Sequence, residues 1–246
     1  MYVLDCKERT GKIEMTLRQY WEKVCRRMMK MRLHPIRVFC FHQVSDEFEP
    51  DTMEKSDWIQ TEEFKKCIVA LKKKYTFISL PEGTAHLKQD VHRWKEYAIL
   101  TADDGWASLK NILPWLAEQN IPVALFVNPA YMRGDGYRER DTEKYLTMEE
   151  LKYYVTSCKN LSIALHGWEH KDMSSFSELE FQEDVAKTKK ALSSFLGYIP
   201  YYAYPWGKHN SMNDRILREH SLTPVLMDGE KNYSDSLLIH RELLLV

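Results

Sequence analysis

The sequence predicts an α/β fold built on about seven parallel strands. Seven short apolar runs, rich in β-branched and aromatic residues, recur along the 246-residue chain, and helical patterns separate most of them. Most of the runs are almost continuously apolar, which is typical of parallel strands covered by helices on both faces. Alternation of this kind forms either an open doubly wound sheet or a closed barrel. The predicted strands span residues 36–42, 75–80, 97–102, 121–127, 161–166, 201–205 and 222–227.

Helix patterns lie between the predicted strands. Residues 61–74 place their apolar side chains on one stripe, with Thr61 as the predicted N-cap. Two further helices are predicted to begin with a capping box, in which a hydroxyl residue is followed three positions later by glutamate. These are Thr147 with Glu150 and Ser177 with Glu180. Residues 128–146, with two glycines and many charges, predict a long exposed loop.

Charge and cysteine content exclude several classes of protein. The 35 lysine and arginine residues nearly balance 36 acidic residues, so net charge does not point to a nucleic-acid partner. The five cysteines are odd in number and include no CxxC pair, which is typical of free thiols in a reducing compartment. No signal peptide is evident, and no apolar run approaches the roughly 20 residues that span a bilayer. We therefore expect a soluble, cytoplasmic protein.

Unusual polar and aromatic residues follow four of the predicted strands. Asp103 and Asp104 come directly after strand 97–102, and His42 ends the first strand. The stretch HGWEH, residues 166–170, ends the fifth strand, and YPWG, residues 204–207, ends the sixth. Because the carboxyl ends of parallel strands lie at one face of such folds, these residues are predicted to converge on one site.

Three of these residue types are the donors of a catalytic metal site. Three residues separate His166 from His170, so one helical turn or a compact loop can direct both imidazoles to a common point. Two histidines and one carboxylate, with the remaining positions left to water, form a recurrent catalytic arrangement. One of the two aspartates would supply the carboxylate, because Gly105 lets the chain turn sharply after them. A bound cation would also favour the ionised form of both carboxyl groups.

The order TADDG (101–105), HGWEH (166–170) and AYPWG (203–207) resembles the motifs of the polysaccharide deacetylases, the NodB-homology group of carbohydrate esterases. The run VFCFH, residues 38–42, is also similar to the opening strand of that family. The resemblance covers residues 36–246, expected to form one catalytic domain after an extension of residues 1–35. It implies a distorted (β/α) barrel with one divalent metal, most often zinc, with cobalt, nickel or manganese as alternatives. The implied reaction is hydrolysis of an acetyl group, foremost an N-acetyl group, on a sugar.

The resemblance also implies a role for each matched residue. Asp103 matches the catalytic base, and Trp206 matches the aromatic residue whose backbone N–H helps to hold the oxyanion. His42, at the end of the first strand, is expected to contact substrate or to support a metal ligand. The three residues that match the metal ligands are Asp104, His166 and His170.

Three positions depart from the family pattern. Ala102 replaces the usual phenylalanine, Gly167 replaces a serine or threonine, and Ala203 stands where many members carry an arginine that orients the catalytic aspartate. What orients Asp103 is therefore open. The family's late histidine, proposed as a general acid, matches His240 in LLIH (237–240), but the following Arg241 suits a different alignment in which His240 has no catalytic role.

Two other functions stay open. A metal-free glycoside hydrolase also uses paired carboxylates, but it needs them roughly 5 to 10 Å apart across a sugar and has no use for the histidines of HGWEH. A catalytically impaired, carbohydrate-binding barrel would account for the missing arginine, although the base and all three ligands are intact. The metal content of the purified protein separates a deacetylase from a glycoside hydrolase.

The expected partner is an acetylated sugar, an oligosaccharide or a lipid-linked saccharide. Residues 16–32 predict an amphipathic helix, with Trp21 and several methionines on its apolar stripe and basic residues around the stripe. The stripe either packs against the barrel or lies on a membrane surface whose anionic headgroups meet the basic face. The second interpretation predicts peripheral contact with the inner membrane surface, which would suit a lipid-linked substrate.

Overall fold

The computed structural model describes residues 21, 34–48, 55–89, 95–133, 144–234 and 238–244. The described strands all pair in parallel. They are β1 (Arg37–Phe41), β2 (Gln43–Ser45), β3 (Trp58–Gln60), β4 (Thr76–Phe77), β5 (Tyr97–Ala102), β6 (Val123–Val127), β7 (Leu161–Leu165), β8 (Tyr198–Ala203), β9 (Thr223–Met227) and β10 (Ile239–Leu243). The helices are α1 (Thr61–Lys74), α2 (Leu80–Lys88), α3 (Leu113–Glu118), α4 (Pro129–Arg133), α5 (Met148–Ser157), α6 (Glu178–Leu192) and α7 (Ser211–Glu219).

Seven of the strands close a parallel barrel. Around the barrel the order is β1, β10, β9, β8, β7, β6 and β5. The barrel closes because β5 also pairs with β1, from Arg37 opposite Ala98 to Phe41 opposite Ala102. This confirms the predicted barrel of about seven parallel strands. The short strand β4 pairs with the start of β5, and β2 and β3 form a separate two-stranded sheet.

One of the seven barrel strands differs from the prediction. The run 75–80 forms only the two-residue strand β4, because Ser79 caps a new helix and its hydroxyl accepts a hydrogen bond from the N–H of Glu82. The seventh place in the barrel belongs to β10. The apolar-run pattern does not predict β10, since three consecutive charged or titratable residues (240–242) interrupt it.

Two of the three predicted helix starts are confirmed. α5 and α6 begin with the capping boxes at Thr147 and Ser177. In α1 the N-cap is Gln60 instead of Thr61, because the Gln60 side chain reaches the N–H groups of Glu62 and Glu63.

The predicted exposed loop at 128–146 is wrong in its first part. Residues 129–133 form α4, and 128–132 are buried. The aromatic ring of Tyr131 and the methyl group of Ala130 pack with Trp168, which provides the burial that a loop prediction misses. Residues 134–143 lie outside the described part of the chain.

One hydrophobic cluster contains side chains from all seven barrel strands and therefore marks the barrel interior. Its members include Val38, Ile99, Ala124, Phe126, Ala164, Ala203, Val225 and Ile239. Successive strand side chains alternate between two faces, so residues two positions further along also point inward. This alternation directs His42, Asp103, Asn128 and His166 to the carboxyl-end mouth of the barrel. By the same rule Arg241, two residues after Ile239, points inside. A larger apolar cluster lies between the strands and the surrounding helices.

The predicted amphipathic helix at 16–32 lies outside the described residues, apart from Trp21. Both interpretations of that helix stay predictions. Within the part of the chain that the structure describes, no helix combines the length and the apolar character needed to cross a bilayer.

Candidate metal centre and active site

The aspartate pair lies in a tight turn at the end of β5. Asp104 and Gly105 both have positive φ, 69° and 75°, and the N–H of Gly105 donates to the carbonyl of Asp103 at 2.9 Å. Aspartate adopts this left-handed conformation more readily than most residues. At position 105 the positive φ favours glycine, and an added Cβ atom would also lie 3.2 Å from Val127 Cγ1 and 2.6 Å from the flexible Met132 side chain. The turn lets Asp103 point into the barrel while Asp104 faces the histidines.

Asp104, His166 and His170 bring three potential ligand atoms together. Asp104 Oδ1 lies 3.4 Å from His166 Nε2 and 3.5 Å from His170 Nε2. This oxygen is buried and has no hydrogen-bond partner among the described residues. A buried carboxylate oxygen without a donor is costly, and a cation between the three atoms would satisfy it. One carboxylate and two imidazoles suit zinc and similar divalent ions.

Neighbouring groups fix the orientation of these ligands. His166 Nδ1 lies 2.9 Å from the carbonyl oxygen of Ala203. Because a carbonyl can only accept, Nδ1 carries the hydrogen and Nε2 is left with a free lone pair. The other oxygen of Asp104, Oδ2, accepts a hydrogen bond from the Trp106 indole at 3.0 Å. Each of these two ligands therefore presents one atom to the common point.

The two imidazoles differ in their tendency to hold a proton. Burial, reinforced by the neighbouring His166, lowers the pKa of His170 to about 4, so His170 is neutral near pH 7. Burial also opposes a charge on His166, but the carboxylates of Asp103 and Asp104 outweigh burial and raise its pKa. The surplus of negative charge that favours a proton on His166 would equally favour a divalent cation.

The histidines lie on a compact loop and not on a helical turn. Gly167 has a φ of 80°, which lets the chain turn directly after His166. A Cβ atom at this position would lie 2.5 Å from the Met173 methyl group and 3.2 Å from the Tyr202 hydroxyl. The positive φ favours glycine at this position, where the resembled family carries serine or threonine.

Arg241, on β10, orients Asp103. Its guanidinium donates two parallel hydrogen bonds, from Nη1 to Asp103 Oδ1 at 2.6 Å and from Nη2 to Oδ2 at 2.8 Å. Nη1 also donates to the Thr101 hydroxyl at 3.2 Å, and the guanidinium lies 5.0 Å from the centre of the Phe126 ring. Arg241 is 1% exposed. The arginine that orients Asp103 thus lies on β10, whereas Ala203 on β8 occupies the position at which many family members carry that arginine.

The ion pair sets the charge of Asp103. Burial by itself would raise the pKa of Asp103, but the Arg241 guanidinium, together with His166, outweighs burial and holds that pKa well below its usual range. Asp103 is therefore a carboxylate at neutral pH. A carboxylate with a fixed orientation beside a metal centre can accept a proton from a bound or attacking water.

His42 lies beside Asp103 at the mouth of the barrel. One donor atom each from Cys40, His42 and Asp103 lie within 4.8 Å of one another. His42 Nδ1 is buried and makes no hydrogen bond to a described residue. A second cation would not suit this group, because Arg241 Nη1 is 3.5 Å from Cys40 Sγ and burial raises the pKa of that thiol. The position supports the prediction that His42 contacts substrate or a ligand, which stays a prediction.

Trp206 borders the metal centre from the following turn. Its side chain is exposed, and its ring lies 4.4 Å from the His170 ring in an edge-on arrangement. Its φ of 54° is unusual for a bulky residue, and such strained positions cluster at functional sites. An exposed indole here can stack on a sugar ring, so the predicted substrate contact is sterically open.

His240 lies away from this centre. It precedes Arg241 on β10, so its side chain points to the outside of the barrel. Its Nδ1 lies 2.8 Å from Asp228 Oδ2. This placement argues against a role for His240 as the general acid and agrees with the alignment in which His240 has no catalytic role.

Sequence reasoning misses Asn128 and gives Arg241 no role of its own. Asn128 follows β6 and binds the backbone of the histidine loop, while Arg241 holds the carboxylate of Asp103. Both continue the inward alternation of their strands. The inward alternation of the predicted strand 121–127 could have indicated Asn128, whereas Arg241 lies on β10, which the apolar-run pattern does not predict.

Residues 90–225 match a family model described as polysaccharide deacetylase. The structure is similar to that of IcaB from Ammonifex degensii, with a TM-score of 0.72, 24% identity, and coverage of 86% of this chain and 92% of that chain. It is also similar to the Streptococcus pyogenes deacetylase PplD in complex with acetate, with a TM-score of 0.73, 19% identity, and coverage of 86% and 92%. The BpsB deacetylase domain from Bordetella bronchiseptica gives a TM-score of 0.67, 18% identity, and coverage of 85% and 95%. These structural similarities, at sequence identities below 25%, show a shared fold. No protein with a curated functional description matches the sequence.

Proposed function

The chain belongs to the polysaccharide deacetylase family, and from this premise we propose that it is a metal-dependent hydrolase that removes acetyl groups, foremost N-acetyl groups, from a saccharide. One observation carries the proposal. The buried Asp104 Oδ1 faces both histidine Nε2 atoms without a hydrogen bond, next to the ionised carboxylate of Asp103. A cation site beside a fixed base is the equipment that hydrolysis of an amide requires.

The residues of the chain divide the chemistry between them. A divalent metal held by Asp104, His166 and His170 would polarise the acetyl carbonyl and lower the pKa of water at the site. The Asp103 carboxylate accepts the proton of the water whose oxygen attacks the acetyl carbon. As the carbon–nitrogen bond breaks, protonated Asp103 returns this proton to the sugar amine. A carboxyl group whose pKa Arg241 holds low gives up its proton readily.

Trp206 completes the proposal on the substrate side. Its backbone N–H, by analogy with the family, donates to the carbonyl oxygen as negative charge develops there, a contribution often worth about 3 kcal/mol per donor. Its exposed indole provides a face for the sugar ring. We assign His42 a contact with the substrate beside Asp103, since donor atoms of the two residues lie within 4.8 Å of each other.

Neither alternative function has comparable support. A glycoside hydrolase needs one protonated carboxyl group as general acid. Burial would favour that form, but Arg241 and His166 lower the pKa of Asp103, and His166 and His170 lower the pKa of Asp104. The impaired, carbohydrate-binding barrel was favoured by the lack of an arginine at position 203, and Arg241 removes this reason.

Acetate release tests the proposal. We expect the purified full-length protein to release acetate from some members of a panel of N-acetylated sugars, oligosaccharides and lipid-linked saccharides. Exhaustive chelation, with metal loss checked by elemental analysis, should abolish release, and added zinc or cobalt should restore it. Full turnover by metal-free protein would refute the metal-dependent mechanism. A protein with metal but without acetate release from any member would refute deacetylation.

The location of the enzyme is a separate part of the proposal, in which a cytoplasmic protein acts on a lipid-linked precursor at the membrane surface. We expect the full-length protein to sediment with vesicles containing anionic lipid at low salt and to remain in solution with zwitterionic vesicles. A variant lacking residues 1–33 should stay folded and lose sedimentation. If the variant instead aggregates, and the full-length protein does not bind anionic vesicles, residues 16–32 pack against the barrel.

A further inference from the structure

The loop His166–His170 carries two of the three proposed metal ligands but contains no helix or strand. Side chains of the surrounding elements bind its backbone instead. Asn128 Nδ2 donates to the carbonyl oxygens of His166 and Gly167, and the Tyr131 hydroxyl accepts a hydrogen bond from the N–H of His170 at 2.9 Å. Both ends of the loop are therefore attached to β6 and α4.

The centre of the loop is attached to a different element. The N–H of Trp168 points between the two carboxylate oxygens of Asp184, at 3.2 and 3.1 Å. Asp184 lies in the middle of α6, which packs against the barrel beside β7. The carbonyl oxygen of Trp168 accepts a hydrogen bond from Ala130 at 3.1 Å. Trp168 thus connects α6 with α4, and the two ligand histidines flank this connection.

Burial disfavours the charged form of the Asp184 carboxyl group, which accepts this hydrogen bond. Burial raises the pKa of Asp184 to about 6, although the N–H of Trp168 and the nearby Lys171 and Lys187 favour the charged form. The Lys187 ammonium group lies 3.8 Å from the centre of the Trp168 ring, so the same helix contacts Trp168 through a second side chain.

We propose that Asp184 is a positioning residue for the metal centre, because its hydrogen bond to Trp168 holds the loop in the conformation in which both histidine Nε2 atoms face Asp104. The inference rests on the proposed metal-dependent function. Without Asp184 the loop would have to become ordered when the metal binds, and this ordering would weaken affinity.

Metal affinity tests the inference. In the full-length protein, Asp184→Ala should weaken zinc binding about 10-fold or more, measured by competition with a chromophoric chelator. Amide hydrogen exchange over residues 166–170 should become faster in the metal-free protein, which is a readout independent of activity. Asp184→Asn keeps an acceptor for the Trp168 N–H and should therefore keep most of the wild-type affinity for zinc.

Two variants on the same helix serve as controls. Val185→Ala creates a cavity in the core next to Asp184 and should lower thermal stability while leaving zinc affinity unchanged. Glu183→Gln removes an exposed carboxylate one position away and should change neither quantity. Asp184 is only partly buried, so we expect Asp184→Ala to fold, and Asp184→Asn provides a second variant in any case.

Different results would overturn different proposals. Wild-type affinity and exchange in Asp184→Ala would refute the positioning role, since water would then replace the carboxylate. An equal loss of affinity in Asp184→Ala and Val185→Ala would refute it in favour of a general effect of stability. Equal losses in Asp184→Ala and Asp184→Asn would refute the hydrogen bond as the cause. If the wild-type protein binds no zinc at all, the proposed function fails first and the inference fails with it.

Discussion

Replacing Asp104 with asparagine is expected to abolish tight metal binding, whereas replacing Asp103 is expected to leave the metal in place. The reason is the direction of the two side chains. Asp104 Oδ1 faces the two histidines, while both oxygens of Asp103 are engaged by Arg241. Asp103→Asn should therefore retain the metal and lose at least about 100-fold in turnover, as expected for loss of a general base.

Elemental analysis after dialysis, combined with acetate release, measures both effects. His166→Ala and His170→Ala are the matched comparisons and should behave like Asp104→Asn. Circular dichroism must show that each variant is folded, because Asp103→Asn leaves the Arg241 charge without its partner. Equal metal contents in the Asp103 and Asp104 variants would contradict the division of labour between the two aspartates.

Arg241→Met is expected to destabilise the protein by about 3–5 kcal/mol and to inactivate it, because it leaves the Asp103 carboxylate buried without a compensating charge. Methionine fills part of the volume and removes the two parallel hydrogen bonds. Urea denaturation measures the loss of stability. The double variant Asp103→Asn with Arg241→Met removes both charges and should recover much of the stability while staying inactive.

Arg37→Met is the control for this experiment. Arg37 lies on β1 and pairs with Glu242, the residue next to Arg241, but this pair is partly exposed. Its removal should cost less than about 1 kcal/mol and leave turnover unchanged. Similar losses in Arg37→Met and Arg241→Met would show that burial of the Asp103 pair has no special effect.

The sequence predicts most of the barrel because buried parallel strands read as continuous apolar runs. The apolar-run pattern does not predict β10, because this strand carries Arg241, a charged residue of the candidate site. The rule that buried residues are apolar does not hold for Arg241, whose charge is matched by Asp103 from a strand that lies 138 positions earlier in the chain. Such long-range pairing leaves no local pattern in the sequence.

In the candidate site, too, some residues can be predicted from the sequence and others cannot. Asp103, Asp104, His166 and His170 are predictable because they follow strands and form short motifs, and the barrel brings those strand ends together. Asp184 is a single acidic residue on a helix rich in charges and resembles a solvent-exposed position. Its partial burial and its hydrogen bond to Trp168 distinguish it from exposed neighbours such as Glu183, and both arise only in the folded chain.

The strand that closes the barrel is also the strand that carries the partner of Asp103. β10 pairs with β9 on one side and with β1 on the other, and Arg241 reaches Asp103 only when β10 is in place. A chain in which β10 has detached has an open sheet with two free edges and an unmatched charge at its centre. Local detachment of β10 would therefore abolish activity before the rest of the domain unfolds. Activity would then report whether the whole barrel is closed.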